Sequence, residues 1–294
     1  MLEKTANQFS LFTKNLINTI SSILKIVIRS RFNVQLPSKT NDRCSILGNG
    51  PSLQFSLENN LEFIQCTELI CVNNFAHSPY FIKLTPKNYA LLDPYFFLFD
   101  GNEYNREDVS QTMKAFAEVN WDMYLFMPQH ARKSNFLNQL IKSNTFLHPV
   151  YFNYTVTRGF EKIIHWLFKQ NLGMPQCQNI LAASICLSIN RGFKEIYLFG
   201  ADHSWHEQLQ LTDQNDLTIK DLHFYDANPN HMPTHKLVDV KSKKKTTMSF
   251  QFAALSKAFL SYEILERYAR QLGVKVFNAS AKSYIDAFER IRLS

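Results

Sequence analysis

The chain has 294 residues, 45% of them hydrophobic and 19% charged, with 25 Phe, 12 Tyr and 3 Trp. That length allows one or two domains, and that apolar content excludes a disordered chain. With 8 Gly and 10 Pro, collagen-like and low-complexity readings fail as well.

The formal net charge is +7 and unevenly placed. Residues 1–43 hold Lys4, Lys14, Lys25, Arg29, Arg31, Lys39 and Arg43 against only Glu3 and Asp42. The rest of the chain is nearly neutral, so the basic stripe of a nucleic-acid-binding fold is missing and no nucleic-acid partner is expected. Cys44, Cys66, Cys71, Cys177 and Cys186 form no C-x-x-C pair, which argues against a zinc knuckle or thioredoxin-type site. Cys44, Cys71 and Cys186 sit in apolar segments, which points to a reducing compartment. No short apolar stretch with a small-residue cleavage site opens the chain, and a cytoplasmic location is expected.

The first element is a helix. At about 100° per residue, Phe9, Phe12, Leu16, Ile20, Ile23 and Val27 share one stripe, with Lys14, Asn18, Ser21, Lys25 and Arg29 opposite. No uninterrupted apolar run reaches the roughly 18 residues of a membrane span. Such a stripe covers itself with an anionic membrane surface, with the body of the fold or with a second copy of the chain. The basic face favours peripheral membrane contact through residues 9–29, on the inner face of the membrane. Residues 31–43 read as a linker, so the expected division is 1–43, an amphipathic helix and linker, and 44–294, the main domain.

In that domain Cys44–Leu47 is a short buried strand running into Gly48-Asn49-Gly50-Pro51-Ser52, with Ser52 placed to cap the next helix. Further strands are Glu68–Val72, Tyr89–Leu92, Asp122–Met127, Lys194–Phe199 and Val274–Asn278. Helices are expected at 159–171, 179–190, 248–272 and 283–291, with stops at Gly192 and Gly273. Residues 206–247 are polar and read as a lid insertion. Strands alternating with helices predict an α/β fold, a Rossmann-like parallel sheet with helices on both faces. Polar residues stand at the strand ends (Asn49, Asn73, Asp93, Asp202, Asn278), where open α/β sheets bind ligands.

The glycines after the first strand suit close backbone approach by a phosphate or ribose. The loop is neither G-x-G-x-x-G nor a Walker A motif. Gly48-Asn49-Gly50-Pro51-Ser52-Leu53 resembles the nucleotide loop of the CMP-sialic-acid-dependent sialyltransferases of glycosyltransferase family 42. Gly192-Phe193-Lys194-Glu195-Ile196-Tyr197-Leu198-Phe199-Gly200-Ala201-Asp202 is similar to that family's central strand. Val72-Asn73-Asn74-Phe75 and Leu92-Asp93-Pro94 resemble its second and third strand ends, with Asp93 where the family has Asn. The resemblance covers about residues 44–205. The Maf proteins and the hydroxymethylpterin pyrophosphokinases share the related core. Two segments depart from the family: its R-I-T-S-G aligns with Cys177-Gln178-Asn179-Ile180-Leu181, and its phosphate-holding tyrosines with His203-Ser204-Trp205-His206.

The resemblance implies inverting, metal-independent transfer of a sugar from a CMP-activated donor, sialic-acid or Kdo-type, to a glycan or lipid-linked glycan acceptor. It implies donor contacts from Gly48, Asn49, Gly50, Pro51, Ser52, Asn73, Asp93, Asn179, Gly200 and Ala201, with Tyr225 on the phosphate. Asp202 and His203 would shape the leaving-group site. A lid histidine, His223 or His235, would be the general base, since imidazole titrates near working pH. His203/His206 and His231/His235 have spacings a metal tolerates, but no H-E-x-x-H or D-x-D pattern supports a metal, and no cofactor is expected. Lys241 and Lys243–Lys245 steer an anionic donor, touch lipid or are simply solvated. Two further classes stay open: a pterin-type pyrophosphokinase using ATP and magnesium, and a non-catalytic nucleotide- or glycan-binding module.

Overall fold

A computed structural model describes residues 2–99, 106–220, 222–226, 234–239 and 244–293, with side chains in the first helix described from Asn7 onward. The elements in chain order are α1 (Leu2–Arg29), β1 (Arg43–Leu47), α2 (Leu53–Asn59), α3 (Leu61–Gln65), β2 (Glu68–Val72), α4 (Tyr80–Leu84), β3 (Asn88–Ala90), α5 (Tyr95–Leu98) and α6 (Glu107–Ala117). They continue with β4 (Met123–Pro128), α7 (Asn135–Ser143), β5 (Leu147–Phe152), α8 (Glu161–Lys169), α9 (Ile180–Asn190) and β6 (Glu195–Phe199). Last come β7 (Leu209–Leu211), β8 (Leu217–Ile219), β9 (His235–Lys236), α10 (Met248–Gln271), β10 (Lys275–Asn278) and β11 (Glu289–Arg290).

Eight strands form one parallel sheet in the order β11-β10-β6-β1-β2-β3-β4-β5. This is the Rossmann-like α/β arrangement. The chain winds outward from β1 to β5, then crosses back to place β6 on the other side of β1. The reversal between β1 and β6 is the topological switch point, where such sheets open a crevice at the strands' carboxyl ends.

Side chains alternate across the pleat, so each strand feeds two cores. Ile46, Ile70, Val72 and Leu198 face the layer of α8, α9 and α10. Leu47, Leu69, Cys71, Leu125 and Phe199 face the layer of α2 to α7. The run Ile180–Ile189 is buried at every position, which explains why α9 is apolar all round instead of amphipathic. Asn179 caps α9 by accepting the Ala182 amide, and Gly192 and Gly273 leave α9 and α10 in left-handed conformations.

The expected strands form, some with ends moved by one or two residues. The structure adds β5, α6 and α7, which the pattern did not predict. β5 carries Pro149 and pairs only with β4; a proline is tolerated there because β5 is the sheet edge. The helix expected at 283–291 does not form. Arg290 instead donates to the carbonyls of Ser280 and Ser283, and Glu289–Arg290 pairs with β10. The lid insertion contains a small antiparallel sheet, β7-β8-β9.

The linker is bound to the body. Glu68 accepts the amide and hydroxyl of Thr40, the Asn88 amide at 3.0 Å and Arg191 at 2.5 Å. Burial works against the Glu68 charge, but Thr40 and Arg191 outweigh it and hold the carboxyl below its usual range. This buried pair ties the linker, β2, β3 and the end of α9 together. Removing one member strands the other charge, so Arg191→Met is expected to cost about 3–5 kcal/mol by urea denaturation at pH 7. The deficit is expected to shrink on acidification, as the stranded Glu68 takes a proton.

Candidate active-site cleft

A cleft of about 610 Å³ opens at the switch point, over the carboxyl ends of β1, β2, β3 and β6. Of the expected donor contacts, Asn49, Gly50, Pro51, Asn73, Asp93, Asn179 and Gly200 line it, together with Asp202, His203 and His223. Gly48, Ser52, Ala201, Tyr225 and His235 are not in its wall, and each has a physical reason.

Gly48 is turned inward. A Cβ there would lie 2.5 Å from the Gly200 carbonyl oxygen, and one on Gly200 would lie 2.7 Å from that of Gly48. The two loops therefore run backbone against backbone, joined by Gly48 N–H to Phe199 O and Gly50 N–H to Gly200 O at 2.8 and 2.9 Å. The glycine loop thus spends these amides on its neighbour, not on a phosphate. Ser52 does not cap α2 with its side chain. Its hydroxyl and amide both donate to the Asp202 carboxylate, at 2.5 and 3.0 Å. Burial pushes the Asp202 carboxyl up, partly offset by these bonds. Asp202 acts as the latch between the β1 and β6 loops. Ala201 is fully buried behind it, with its amide on Ser280.

The amide of Asn179 is oriented without ambiguity. Its Oδ1 accepts the Ala182 amide at 3.0 Å and the Tyr262 hydroxyl at 2.9 Å. Tyr262 has then spent its proton, so His203 Nε2, 2.5 Å away, must donate to it. His203 is neutral with Nδ1 unprotonated. Burial pushes its pKa down to about 3, and its backbone is left-handed at φ +53°. A neutral His203 whose single N–H is spent on Tyr262 presents only the Nδ1 acceptor, and neither a donor nor a charge.

Two cleft-wall atoms lack a partner among the described residues: Oδ1 of Asn49 and Nδ2 of Asn179. Asn49 Nδ2 is held by Val72 O at 3.0 Å, which aims the residue. Buried polar atoms left unpaired cost about 1–3 kcal/mol each. Both atoms are themselves buried, and it is other parts of Asn49 and Asn179 that line the cleft. Asn73, at φ +45°, uses its Oδ1 to bind the Leu92 amide and so joins the ends of β2 and β3.

The lid reaches the cleft through 222–226. The Phe224 amide donates to Asn49 O, and the Phe224 ring packs 5.5 Å from Phe75. This brings His223 into the wall. Its Nδ1 lies 3.8 Å from Asp226 Oδ2, longer than a hydrogen bond, and that oxygen accepts the His223 backbone amide at 2.6 Å. Tyr225 stacks on His223 at 5.1 Å with rings 5° from parallel. Tyr225 therefore supports the imidazole and is not itself in the wall. His235 sits on β9 with both residues of that strand exposed, outside the cleft. His206 packs edge-on to Tyr284 and does not converge with His203. Among the described residues no three metal-ligating side chains cluster. His231, Lys241 and Lys243 lie outside the described residues. Lys245 pairs with Asp216, as Lys236 does.

Arg106, His130 and Lys220 also line the cleft, and the sequence pattern did not single them out. Arg106 bridges Asp93 at 3.1 Å and Asp108. Burial pushes the Asp93 carboxyl up, against the pull of the Tyr95 amide and Arg106. His130 follows the end of β4, so the strand-end rule applied to Pro128 would have found it. Nothing in the local sequence marks Arg106 or Lys220.

No protein-family model and no curated protein matches the chain. Among solved structures it is similar to the MAf glycosyltransferase from Magnetospirillum magneticum AMB-1, with TM-score 0.47 and 13% identity over 96% of this chain. The chain spans 38% of that protein's length.

Two outcomes follow from the geometry. Asp202→Ala, which opens the latch, is expected to lower stability by about 1–3 kcal/mol in chemical denaturation, and Ser52→Ala by less. An unfolded histidine protonates near pH 6.5, whereas folded His203 resists to about 3. The unfolded state therefore binds more protons in that window, and stability falls as pH drops through it, by up to about 1.4 kcal/mol per pH unit. His203→Gln is expected to flatten the urea-midpoint profile between about pH 6.5 and 4.

Proposed function

We propose that the chain is a nucleotide-sugar-dependent glycosyltransferase with a CMP-activated donor, sialic-acid or Kdo-type. The observation that carries the transferase reading is His223. It is a partly exposed imidazole beside a nearly buried carboxylate, Asp226, at 27% and 9% side-chain exposure, on a lid over the switch-point cleft. Such a pair suits deprotonation of an acceptor hydroxyl. The choice of CMP rests on the sequence resemblance of Gly48–Leu53 and Gly192–Asp202 to family 42.

In this mechanism the donor's nucleotide lies across the ends of β1, β2 and β3. Asn49 and Asn179, which line the cleft, contact it. His203, with its one N–H held by Tyr262, contributes an acceptor for a hydroxyl of the donor and not a contact to the leaving phosphate. His223 takes the acceptor proton while Asp226 stabilises the imidazolium that forms. The acceptor oxygen bonds to the anomeric carbon as the bond to phosphate breaks. Inversion follows from attack on the face opposite the leaving group.

Calorimetric titration with CMP, CDP, UDP, GDP and ATP, each with and without magnesium, tests the donor class. Preferential magnesium-independent CMP binding is expected. Magnesium-dependent ATP binding would replace the reading with a pyrophosphokinase, and binding of no nucleotide would leave a non-catalytic module. His223→Ala is expected to lower donor turnover by about 10²–10⁴-fold with nucleotide affinity retained, and His235→Ala to leave turnover unchanged.

A further inference from the structure

α1 meets the body through an unexpected face. Thr19, Ser22, Ile26 and Ser30 are the buried contacts. Ser22 exchanges hydrogen bonds with the Arg158 backbone at 2.8 Å, Thr19 accepts the Phe160 amide, and Ser30 donates to Leu172 O. Gly159 makes this approach possible: at φ +136° its Cβ position would lie 2.0 Å from Thr19 Oγ1. The helix is thus fastened by hydroxyls, by Ile26 against Leu167 and Leu172, and by the edge of its apolar side, where Phe12 packs 5.4 Å from Phe160; most of that side faces away from the fold.

That side is broad. Phe9, Phe12, Leu16, Ile20, Ile23 and Val27 are all exposed, and Ile17, Leu24 and Ile28 extend the same arc. At about 100° per residue they span roughly 160° of the helix. Lys14, Lys25 and Arg29 lie beyond the arc, and no acid occurs between Glu3 and Asp42. Just past the helix end, Phe32 is 59% exposed and opens onto a groove of about 470 Å³. Arg31 and Arg132 line the groove, and no carboxylate does. The Arg132 guanidinium is 3.9 Å from the Tyr151 ring centroid and bonded to Gln129, so it is held in place.

We propose that the apolar arc of α1 and the Arg31/Arg132 groove form one monotopic docking surface for an anionic phospholipid bilayer, with a lipid phosphate in the groove. By length and composition Asn7–Arg29 is long and apolar enough to cross a membrane. Its anchorage decides otherwise. From Thr19 onward the helix is held to the body, and the part before it is only about 25 Å long at 1.5 Å per residue, short of a roughly 30 Å hydrocarbon core. The helix therefore lies in the interface plane. Charge complementarity selects lipid over a second copy of the chain, whose α1 would carry the same positive charge. The turn Gln129–Lys133 lines both places, His130 in the cleft and Arg132 in the groove. Docking thus sets the cleft beside the lipid surface. The inference does not depend on the transferase reading.

The test is flotation of the full chain with vesicles of phosphatidylcholine alone or with 30% phosphatidylglycerol. Binding to the anionic vesicles alone is expected. The double variant Ile20→Glu/Leu24→Glu, at exposed positions, is expected to lose it by a hundredfold or more. Arg31→Ala/Arg132→Ala is expected to lower it about tenfold. Inorganic phosphate at 10 mM is expected not to displace the chain. Displacement by it would make the groove a free-anion site and overturn the proposal. So would equal binding to neutral vesicles, or a lipid-free dimer that Ile20→Glu/Leu24→Glu makes monomeric. Phe9→Trp and Ile28→Trp, read by bromolipid quenching, are expected at the same shallow depth; opposite depths would mean a spanning helix.

Discussion

Gly48 and Gly200 lie backbone to backbone where β1 and β6 end, and the site depends on that contact. Parallel pairing of Leu47 with Phe199 continues past the strands, through amide bonds from Gly48 and Gly50. With no Cβ on either glycine, the loops stay close enough for Asp202 to reach both the hydroxyl and the amide of Ser52. The latch sets the positions of Asn49 on one side and His203 on the other. The glycines act through packing between two turns, and the side chains they position form the cleft wall.

A second layer of order comes from α10 and the lid. Tyr262, far along the chain on α10, holds Asn179 and His203 through one hydroxyl. It thereby determines the orientation of an amide and the tautomer of an imidazole. Phe224 anchors the lid to the Asn49 backbone, which brings His223 to the cleft and leaves His235 on an exposed strand. Charge is nearly balanced within the cleft: Arg106 sits between Asp93 and Asp108, and His203 stays neutral.

Much of the fold was legible because buried parallel strands must be short apolar runs ending in polar turns. Leu47–Asn49, Val72–Asn73 and Phe199–Asp202 carry that pattern plainly. The edge strand was not legible, since Pro149 weakens the signal and only its edge position makes it tolerable. The strand-end rule placed Asn49, Asn73, Asp93 and Asp202 near one another. It did not separate side chains that face the cleft from those, such as Ser52 and Ala201, that are used up holding it together. Arg106 and Lys220 had no local mark, because each enters the cleft from a segment outside the strand-end pattern.

Legible in the sequence were the parallel sheet, the end of it at which the cleft opens, and an amphipathic cationic helix at the start. Those follow from the periodicity of apolar residues, which is a local property. The tertiary structure alone decided which face of α1 meets the body, which lid histidine meets the cleft, and which polar atoms are left unpaired there. These depend on contacts between residues far apart in the chain, Thr19 with Phe160, Asn49 with Phe224 and His203 with Tyr262. No spacing within the sequence records such contacts, because they are settled only when the layers pack.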